Sequence, residues 1–323
     1  MICILATFEM NSKMIYLSPI QGFTDFVYRK VYSTVFKEVD TFFIPYISVK
    51  NNQILKKYKS EISPENNLQK KVIPQVLIKD SSELLYLSKL LSDLDYNEIN
   101  LNLGCPYPMV TNRGKGAGLL PHPEKIRIIL SDFFNHQTSK LSVKMRSGLE
   151  SPEEIETIIP VLNEFPLTEV ILHARTAKQL YTGKIVESAF LVASRYLKHR
   201  LVYNGDIFTI NDYRMKSEMF PEIKHWMLGR GILMNSLLPA DIQKVQITKP
   251  DKFKKLQFFH QSIFEEYLKT MDNEGNTINK MKQFWVYFSY NFPNQNKIFK
   301  AIKKTRNLSD YKLQTQVAFN TLI

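Results

Sequence analysis

The chain has 323 residues, of which 44% are hydrophobic, and it carries a formal net charge of +12 at pH 7. No run approaches the roughly 18 apolar residues of a membrane-spanning helix, and two cysteines cannot build a disulfide framework, so we expect a cytoplasmic globular protein. The excess of basic residues favours a polyanionic partner, nucleic acid ahead of a membrane surface, although lysines that merely keep a protein soluble would give the same charge.

Short apolar runs rich in β-branched residues alternate with amphipathic segments as far as about residue 240. The runs predict eight strands, at 15–19, 41–44, 72–78, 98–101, 141–145, 169–172, 201–203 and 226–228. The segments between them predict helices at 24–35, 80–92, 122–134, 151–163, 186–197, 209–217 and 231–240. Eight strands with helical crossovers are typical of a parallel (β/α)8 TIM barrel, and a doubly wound open sheet is the alternative.

The composition changes after Pro250, where strand-like runs end and helical stretches follow at 251–271, 276–290 and 295–320. We therefore predict an N-terminal extension (1–13), a catalytic TIM-barrel domain (14–245) and a small all-helical domain (246–323), which we call the tail. Within 251–323, 12 lysines and arginines face 6 acidic residues. Aromatic side chains lie between these cations. They would suit RNA binding, although a role in the core of the tail is the favoured interpretation for the aromatics.

Polar or glycine-rich residues lie in or just after the carboxyl-terminal parts of seven predicted strands. In a TIM barrel these ends meet on one face, where the connecting loops build the site. In chain order the residues are Pro19, Ile20, Gln21, Gln75, Asn102, Cys105, Lys144, Arg146, His173, Arg175, Asn204, Gly205, Asp206, Gly229 and Arg230. One such residue would carry little information, but the set together predicts a functional site on this face.

Two loops with glycines, Asn204-Gly205-Asp206 and Gly229-Arg230-Gly231, follow the last two predicted strands. These positions form the usual phosphate site of the fold. Either loop alone could be only a tight turn, but together with an arginine they favour a phosphate-bearing cofactor. Lys144 lies in an otherwise strand-like run. A lysine at a barrel mouth needs an electron-rich partner, such as a reduced flavin.

Cys105 follows the fourth predicted strand in the run Asn-Leu-Gly-Cys-Pro at 102–106, ahead of a cationic glycine-rich loop at 113–118. It could be a nucleophile, if a histidine base contacts it. It could be a general acid, because an unperturbed pKa of about 8.5 keeps a thiol protonated at neutral pH. It could also be structural. His173 has no partner at metal-ligand spacing, so we expect no metal and favour a contact of His173 with a cofactor or phosphate.

The ordered set of motifs resembles the tRNA-dihydrouridine synthase family. The matching runs are Leu-Ser-Pro-Ile-Gln-Gly-Phe-Thr-Asp at 17–25, Asn-Leu-Asn-Leu-Gly-Cys-Pro at 100–106 with 113–118, Lys144-Met145-Arg146, 173–176 with 181–183, 204–206 and 229–231. They extend over about residues 15–240, and the segment after about 250 resembles the helical RNA-binding domain of the family. The first motif departs from the usual Ala-Pro-Met-Ala, because Gln21 places a larger polar side chain beside the cofactor.

The resemblance implies an enzyme that reduces uridine in tRNA to 5,6-dihydrouridine with FMN and NADPH, and we expect a monomer. Hydride would pass from flavin N5 to C6 of the uracil, and Cys105 would protonate C5. The implied cofactor contacts are Pro19, Ile20, Gln21, Gln75, Lys144, His173, Asn204, Gly205, Asp206, Gly229 and Arg230. The implied substrate contacts are Asn102, which would touch the extruded uracil, and Arg113, Lys115 and Arg175.

Three other functions stay open at this point. The same chemistry could act on ribosomal RNA. The chain could also be a small-molecule flavin oxidoreductase of the dihydroorotate dehydrogenase type, which would leave the basic tail unexplained. The third alternative is an RNA-binding protein with an inactive barrel, and the presence of Cys105, Lys144 and His173 argues against it.

Overall fold

A closed barrel of eight parallel strands forms the centre of the computed structural model, which describes residues 13–50, 53–69 and 71–322. The strands are β1 (Met14–Leu17), β2 (Thr41–Ile47), β3 (Val72–Val76), β4 (Glu98–Leu103), β5 (Lys140–Gly148), β6 (Glu169–Thr176), β7 (Arg200–Asn204) and β8 (His225–Leu228). They adjoin in chain order, and β1 pairs with β8 to close the barrel. The predicted TIM barrel is confirmed and the open sheet is wrong. Except for Lys13, the predicted extension at 1–13 lies outside the described residues.

The strands are apolar on both faces, as expected for a parallel sheet covered by helices. Inside the barrel, alternate residues from six strands meet in one cluster, which consists of Tyr16, Phe43, Ile73, Ile171, Val202 and Met227. The register shifts between Ile44 and Ile47 in β2 and between Arg146 and Gly148 in β5. Both irregularities lie at the carboxyl ends of strands, where a bulge changes the direction of side chains next to a site.

Helices cover the outside of the barrel close to the predicted positions. They are Phe26–Val35, Ser81–Ser92, Pro123–His136, Ile155–Leu162, Glu187–Tyr196, Ile210–Met219, Arg230–Met234 and Leu238–Ile242. The single helix predicted at 231–240 is wrong, because the chain forms two short helices there. A proline ring clashes with the carbonyl four residues earlier in a continuous helix. Pro239 would meet the carbonyl of Asn235 in this way, and the first helix ends at Met234 with Asn235 as its C-cap.

The excursion between β2 and β3 and the loop after β4 contain short elements that the sequence did not predict. They are a hairpin of Val49–Lys50 with Gln53–Ile54, the short helices Lys59–Ile62 and Pro108–Thr111, and 3-10 turns at Lys56–Tyr58, Pro64–Asn66 and Gly116–Leu119. The excursion is held by Arg29, which is fully buried and pairs with Glu61 at 3.0 Å. None of the described helices is long and apolar enough to span a membrane.

The tail contains four helices, which we number one to four: Lys249–Thr270, Glu274–Phe288, Gln295–Lys304 and Leu308–Asn320. The single helix predicted at 295–320 is wrong, because the chain starts a new helix after Lys304. The side chain of Asn307 caps that new helix by accepting a hydrogen bond from the Asp310 amide at 2.8 Å,.

Aromatic side chains form the core of the tail, as the favoured interpretation expected. Phe259, Trp285, Phe288 and Tyr311 are buried there. Trp285 donates a hydrogen bond to the Tyr311 hydroxyl at 3.0 Å, and that hydroxyl lies 2.7 Å from the buried His260 ring. Most of these aromatic rings therefore face one another and are not displayed to a partner.

Tail helix two is attached to the loop between β1 and the first barrel helix through Asp25. This carboxylate caps the barrel helix by accepting from the Tyr28 amide at 3.0 Å. It also accepts from the Tyr267 hydroxyl at 2.8 Å and pairs with Lys280 at 2.8 Å. The Lys280 ammonium donates as well to the carbonyl of Gly22 at 2.6 Å. Lys280 therefore holds both ends of the segment from Gly22 to Asp25 in the loop that follows β1.

Changing Lys280 to methionine should lower the thermal unfolding midpoint by about 2 °C or more. The substitution removes a charged partner from a largely buried carboxylate, a loss of about 1–3 kcal/mol. The control is Lys269→Met, because the Lys269 side chain is 68% exposed and its pair with Glu266 is a surface pair,. Differential scanning calorimetry measures both variants, and equal midpoints for the two would contradict the expectation.

Candidate active site

A cleft opens at the carboxyl ends of the barrel strands. The open space within it, solvent included, is about 1190 Å³. Loops or residues from all eight strands line it. The lining includes most of the predicted site, namely Pro19, Ile20, Gln21, Gln75, Asn102, Cys105, Lys144, His173, Asn204, Gly205, Asp206, Gly229 and Arg230.

A row of hydrogen-bonded amide side chains crosses the barrel interior and ends at the cysteine loop. Asn100 donates to the Ser142 hydroxyl at 2.9 Å, Gln75 donates to Asn100 at 2.7 Å, and Asn102 donates to Gln75 at 2.7 Å. The Asn102 carbonyl oxygen then accepts from the main-chain amides of Gly104 and Cys105, at 3.0 and 2.8 Å. Each amide orients the next one, so the row sets the turn that presents Cys105.

The Cys105 side chain is almost fully enclosed, with 7% of its surface exposed. Leu77, Val110 and Tyr46 pack against it. Burial raises the pKa of the thiol, so the group is protonated at neutral pH. In the described part of the chain no histidine forms a hydrogen bond with this thiol, so the nucleophile hypothesis has no base. The environment favours a proton donor.

The glycine-rich loop after β4 packs against Cys105. Gly116 has a φ of +57°, and a Cβ at this position would lie 2.9 Å from the Cys105 Cβ. The Ala117 amide donates to the Cys105 carbonyl at 3.1 Å. Only glycine combines this conformation with this approach. The loop therefore has a packing role at the thiol, in addition to any role of its cations.

Gln21 lines the cleft, and its side chain hydrogen-bonds to β2. Its amide nitrogen donates to the main-chain carbonyl of Tyr46 at 2.7 Å. This bond joins the loop after β1 to the carboxyl end of β2, where Tyr46 contacts the thiol. The polar residue that departs from the family motif therefore ties two loops of the cleft together.

Lys144 lines the cleft at the strand position paired with Asn102, and it has a neutral partner. Its ammonium donates to the side-chain oxygen Oδ1 of Asn204 at 2.8 Å. The Asn204 amide nitrogen donates to the Met227 carbonyl at 2.9 Å, which fixes the amide orientation. Burial, and secondarily the positive charge of Arg146, lowers the pKa of Lys144 to about 7. The cation is therefore poorly compensated by the protein itself.

His173 is buried next to several cations and is neutral. Burial first, then Lys144, Arg146 and other positive charges, holds the pKa of His173 well below its ordinary value. A guanidinium nitrogen of Arg175 lies 3.1 Å from His173 Nε2. Because a guanidinium can only donate, Nε2 is the acceptor and Nδ1 carries the proton.

Arg175 does not line the cleft, although we expected it to contact substrate. It is 1% exposed, and it donates to both carboxylate oxygens of Asp206 and to the Gly183 carbonyl. Asp206 also pairs with Arg230 at 3.0 Å. Arg175 is therefore placed to position Asp206 and His173 from behind the wall of the cleft.

Arg113 and Lys115 also lie outside the lining of the cleft. Lys115 pairs with Glu83 at 2.7 Å, and both side chains are largely buried, at 13% and 7% exposure. Its charge is therefore used to attach the glycine-rich loop to the helix Ser81–Ser92. Arg113 is exposed on the turn before it, which leaves it available to a partner outside the cleft.

The cleft contains further side chains to which the sequence analysis assigned no role. Arg146 is 2% exposed, donates to the carbonyls of Gly104 and Thr176 at 3.1 and 2.6 Å, and lies over the Tyr181 ring. Burial lowers its pKa to about 10. The two-residue period of a strand puts residues 144 and 146 on one face, so Arg146, already among the strand-end residues of the predicted set, lines the cleft with Lys144. The lining residues outside that set include Ser18, Phe23, Tyr46, Tyr107, Tyr181, Phe208 and Tyr287.

The chain is similar in sequence to a known family and to several of its members. The family model described as dihydrouridine synthase matches residues 16–320. A probable tRNA-dihydrouridine synthase of Helicobacter pylori is 29% identical over 211 residues, covering 62% of this chain and 61% of that protein. The tRNA-dihydrouridine(16) synthase of Neisseria meningitidis is 24% identical over 308 residues, covering 92% of each.

The match to the Helicobacter pylori relative thus extends over less than two thirds of that protein's length, whereas the family model spans the barrel and the tail of this chain. Among the described residues no group of three or more histidine, cysteine, aspartate or glutamate side chains is arranged to hold a metal ion. With a family match over almost the whole chain and a matching fold, this chain belongs to the dihydrouridine synthase family.

Proposed function

We propose that this protein reduces the C5=C6 bond of uridine in tRNA to 5,6-dihydrouridine, with FMN as its bound cofactor and NADPH as the reductant. The observation that carries the proposal is the joint lining of one cleft by a protonated, enclosed thiol and a poorly compensated group of cations. A proton donor and positive charge beside an electron-rich cofactor are two ways in which a protein can assist a flavin-dependent reduction.

The residues present fit a flavin with a phosphate group. Lys144, Arg146 and Arg230 line the cleft against a single carboxylate, Asp206. The helix Arg230–Met234 begins at the cleft, and the first amides of a helix have no acceptor within it, which suits a phosphate. Lys144 would hold the electron-rich edge of the ring, and Pro19, Ile20 and Gln21 would line the ring with their main chain. Gln75, His173, Asn204, Gly205 and Gly229 would contact the rest of the cofactor. A bound flavin would supply the hydride.

Cys105 would complete the reaction at the substrate. The C5=C6 bond of uracil is conjugated with the C4 carbonyl. Hydride addition at C6 therefore leaves an enolate, with negative charge shared by C5 and the C4 oxygen, and a proton added at C5 neutralises it. The thiol of Cys105 donates this proton, and its raised pKa keeps the proton in place until then,. Asn102 keeps the thiol in position through its bonds to Gly104 and Cys105 and has one amide hydrogen left for the base,.

The tail would hold the RNA while the uridine is extruded. Tail helix three exposes Lys297, Lys300, Lys303 and Lys304, and among the described residues none of these forms an ion pair. Phosphate contacts from such lysines offset the cost of unstacking a base, which is a few kcal/mol. Arg113, exposed beyond the cleft, would add to this surface. We further propose that the enzyme works as a cytoplasmic monomer, with a barrel over 14–245 and a tail over 246–323.

The test of the function is nucleoside analysis of tRNA. Purified protein should be yellow, and with NADPH it should form dihydrouridine in tRNA transcribed without modifications. Cells that lack the gene should lose dihydrouridine from tRNA and regain it on complementation. Dihydrouridine lost from ribosomal RNA alone, or turnover of a small molecule without RNA, would contradict the proposal.

The low pKa of Lys144 predicts a pH effect on stability in protein stripped of flavin. An unfolded lysine has a pKa of about 10.4, so between pH 7 and 8 the unfolded chain binds more protons than the folded one. Stability should therefore rise with pH, by up to about 1.4 kcal/mol over this unit. Urea unfolding of the wild type and of Lys144→Met measures the difference, in which other titrating groups cancel. Parallel pH dependences of the two proteins would contradict a low pKa.

A further inference from the structure

Four tyrosines line the cleft: Tyr46 packs against the thiol of Cys105, and of the other three one comes from the tail. Tyr107 follows β4, Tyr181 follows β6 and Tyr287 lies in tail helix two, and all three line the same cleft as Cys105. Within the described chain their hydroxyl groups form no hydrogen bond to protein. A tail residue thus forms part of the wall of a barrel site, and neither the hydride transfer nor the proton transfer proposed above involves it.

Tyr287 is held in a defined place. Its ring packs edge-on against Phe23 of the loop after β1, with centroids 4.9 Å apart and an interplanar angle of 67°. Burial raises the pKa of Tyr287, and the positive charge of Arg230 acts in the opposite direction. Tyr287 and Arg230 line the same cleft.

The rest of tail helix two fixes this position relative to the barrel. Lys280, Gln283 and Tyr287 follow one another at spacings of three and four residues, so they share one face of the helix. Lys280 bonds to Asp25 and to the Gly22 carbonyl. Gln283 approaches Gly22 so closely that a Cβ there would lie 2.8 Å from its amide nitrogen. The same face that docks on the barrel therefore carries Tyr287 to the cleft.

We propose that Tyr287 is a substrate-contacting residue whose ring packs on the extruded pyrimidine nucleotide as it enters the cleft. The inference rests on the proposed function. The Tyr287 ring packs against Phe23 and borders the cleft, and a base can stack on an aromatic ring whatever its sequence context. Tail helix two would then contact the base that is presented to Cys105, while the tail to which it belongs holds the RNA.

Steady-state kinetics with unmodified tRNA tests the proposal. Tyr287→Leu keeps the bulk against Phe23 but removes the aromatic face, and it should lower kcat/KM for tRNA about tenfold, mainly through KM, within the range of measured base stacking. Tyr287→Phe should stay within about twofold of the wild type. Flavin content and the rate of flavin reduction by NADPH should be unchanged in both. The matched control is Tyr290→Leu, because Tyr290 is exposed nearby and does not line the cleft.

Several results would overturn the inference while leaving the proposed function in place. These are unchanged kinetics in Tyr287→Leu, an equal loss in Tyr290→Leu, or a loss that accompanies released flavin and so reports a structural role. A wild-type protein that forms no dihydrouridine in tRNA would overturn the proposed function, and the inference with it. The wild type is measured first, so the two failures are distinguished.

Discussion

Replacing Cys105 with alanine is expected to slow the formation of dihydrouridine by about a hundredfold to ten-thousandfold, the range of a lost general acid. The flavin should stay bound, because the residues that fit the phosphate and the ring lie elsewhere in the cleft. Rapid-mixing measurements should show normal flavin reduction by NADPH and a slow second half-reaction with tRNA. Unchanged turnover with tRNA would remove Cys105 from the chemistry.

The conservative variant Cys105→Ser separates the acid role from packing. Serine is close in size but a far weaker acid, so its rate should lie near that of alanine while its thermal midpoint stays near that of the wild type. In the wild type, activity should fall with rising pH only above the ordinary thiol range, since burial raises the pKa of Cys105. The serine variant should lack this alkaline decline, and a decline of the same midpoint in both proteins would assign it to another group.

Changing Gly231 to alanine is expected to weaken FMN binding by about a hundredfold. A Cβ at Gly231 would lie 1.9 Å from the main-chain carbonyl oxygen of Ile207, and neither backbone segment can yield without moving the start of the helix Arg230–Met234. The loss corresponds to two charge-assisted hydrogen bonds at about 1.5 kcal/mol each. Fluorescence titration of stripped protein with FMN measures the affinity.

Gly275→Ala is the matched control for this substitution. Gly275 also lies near the start of a helix, but a Cβ there would meet only the end of the Asn273 side chain, at 3.3 Å. Alanine in a helix is favoured over glycine by about 0.5–1 kcal/mol, so the control should bind FMN normally and be slightly more stable. Equal FMN affinities in the two variants would show that the crowding at Gly231 is harmless.

The strand ends explain why so much of the site could be predicted from the sequence. A parallel barrel brings the residues after each strand to one face, so finding the strands was enough to collect Asn102, Cys105, Lys144 and His173 without knowing any distance between them. The spacing of apolar residues locates the strands, and the polarity of the residues at their ends identifies the candidates. Side-chain orientation within the set, such as that of Gln21 toward Tyr46, depends on contacts that no local pattern encodes.

The ion-pair partners of the cations could not be predicted from the sequence. Lys115 is paired with Glu83, 32 residues earlier, and Arg175 with Asp206, 31 residues later. A charge looks free in the sequence when its partner lies on another element, so both residues were expected to contact substrate. Tyr287 was missed for the related reason that docking of the tail brings it to the cleft, across more than 180 residues of chain from Cys105.

The attachment of tail helix two to the loop after β1 has a consequence for how such proteins can diverge. The tail and the barrel look like exchangeable modules, yet one wall of the cleft and the two ends of the Gly22 to Asp25 loop depend on tail side chains. A chimaera that receives the tail of a relative would therefore inherit a new cleft wall together with a new RNA surface. Substitutions at Gly22, Phe23 and Asp25 should accompany such an exchange, because these residues contact tail helix two.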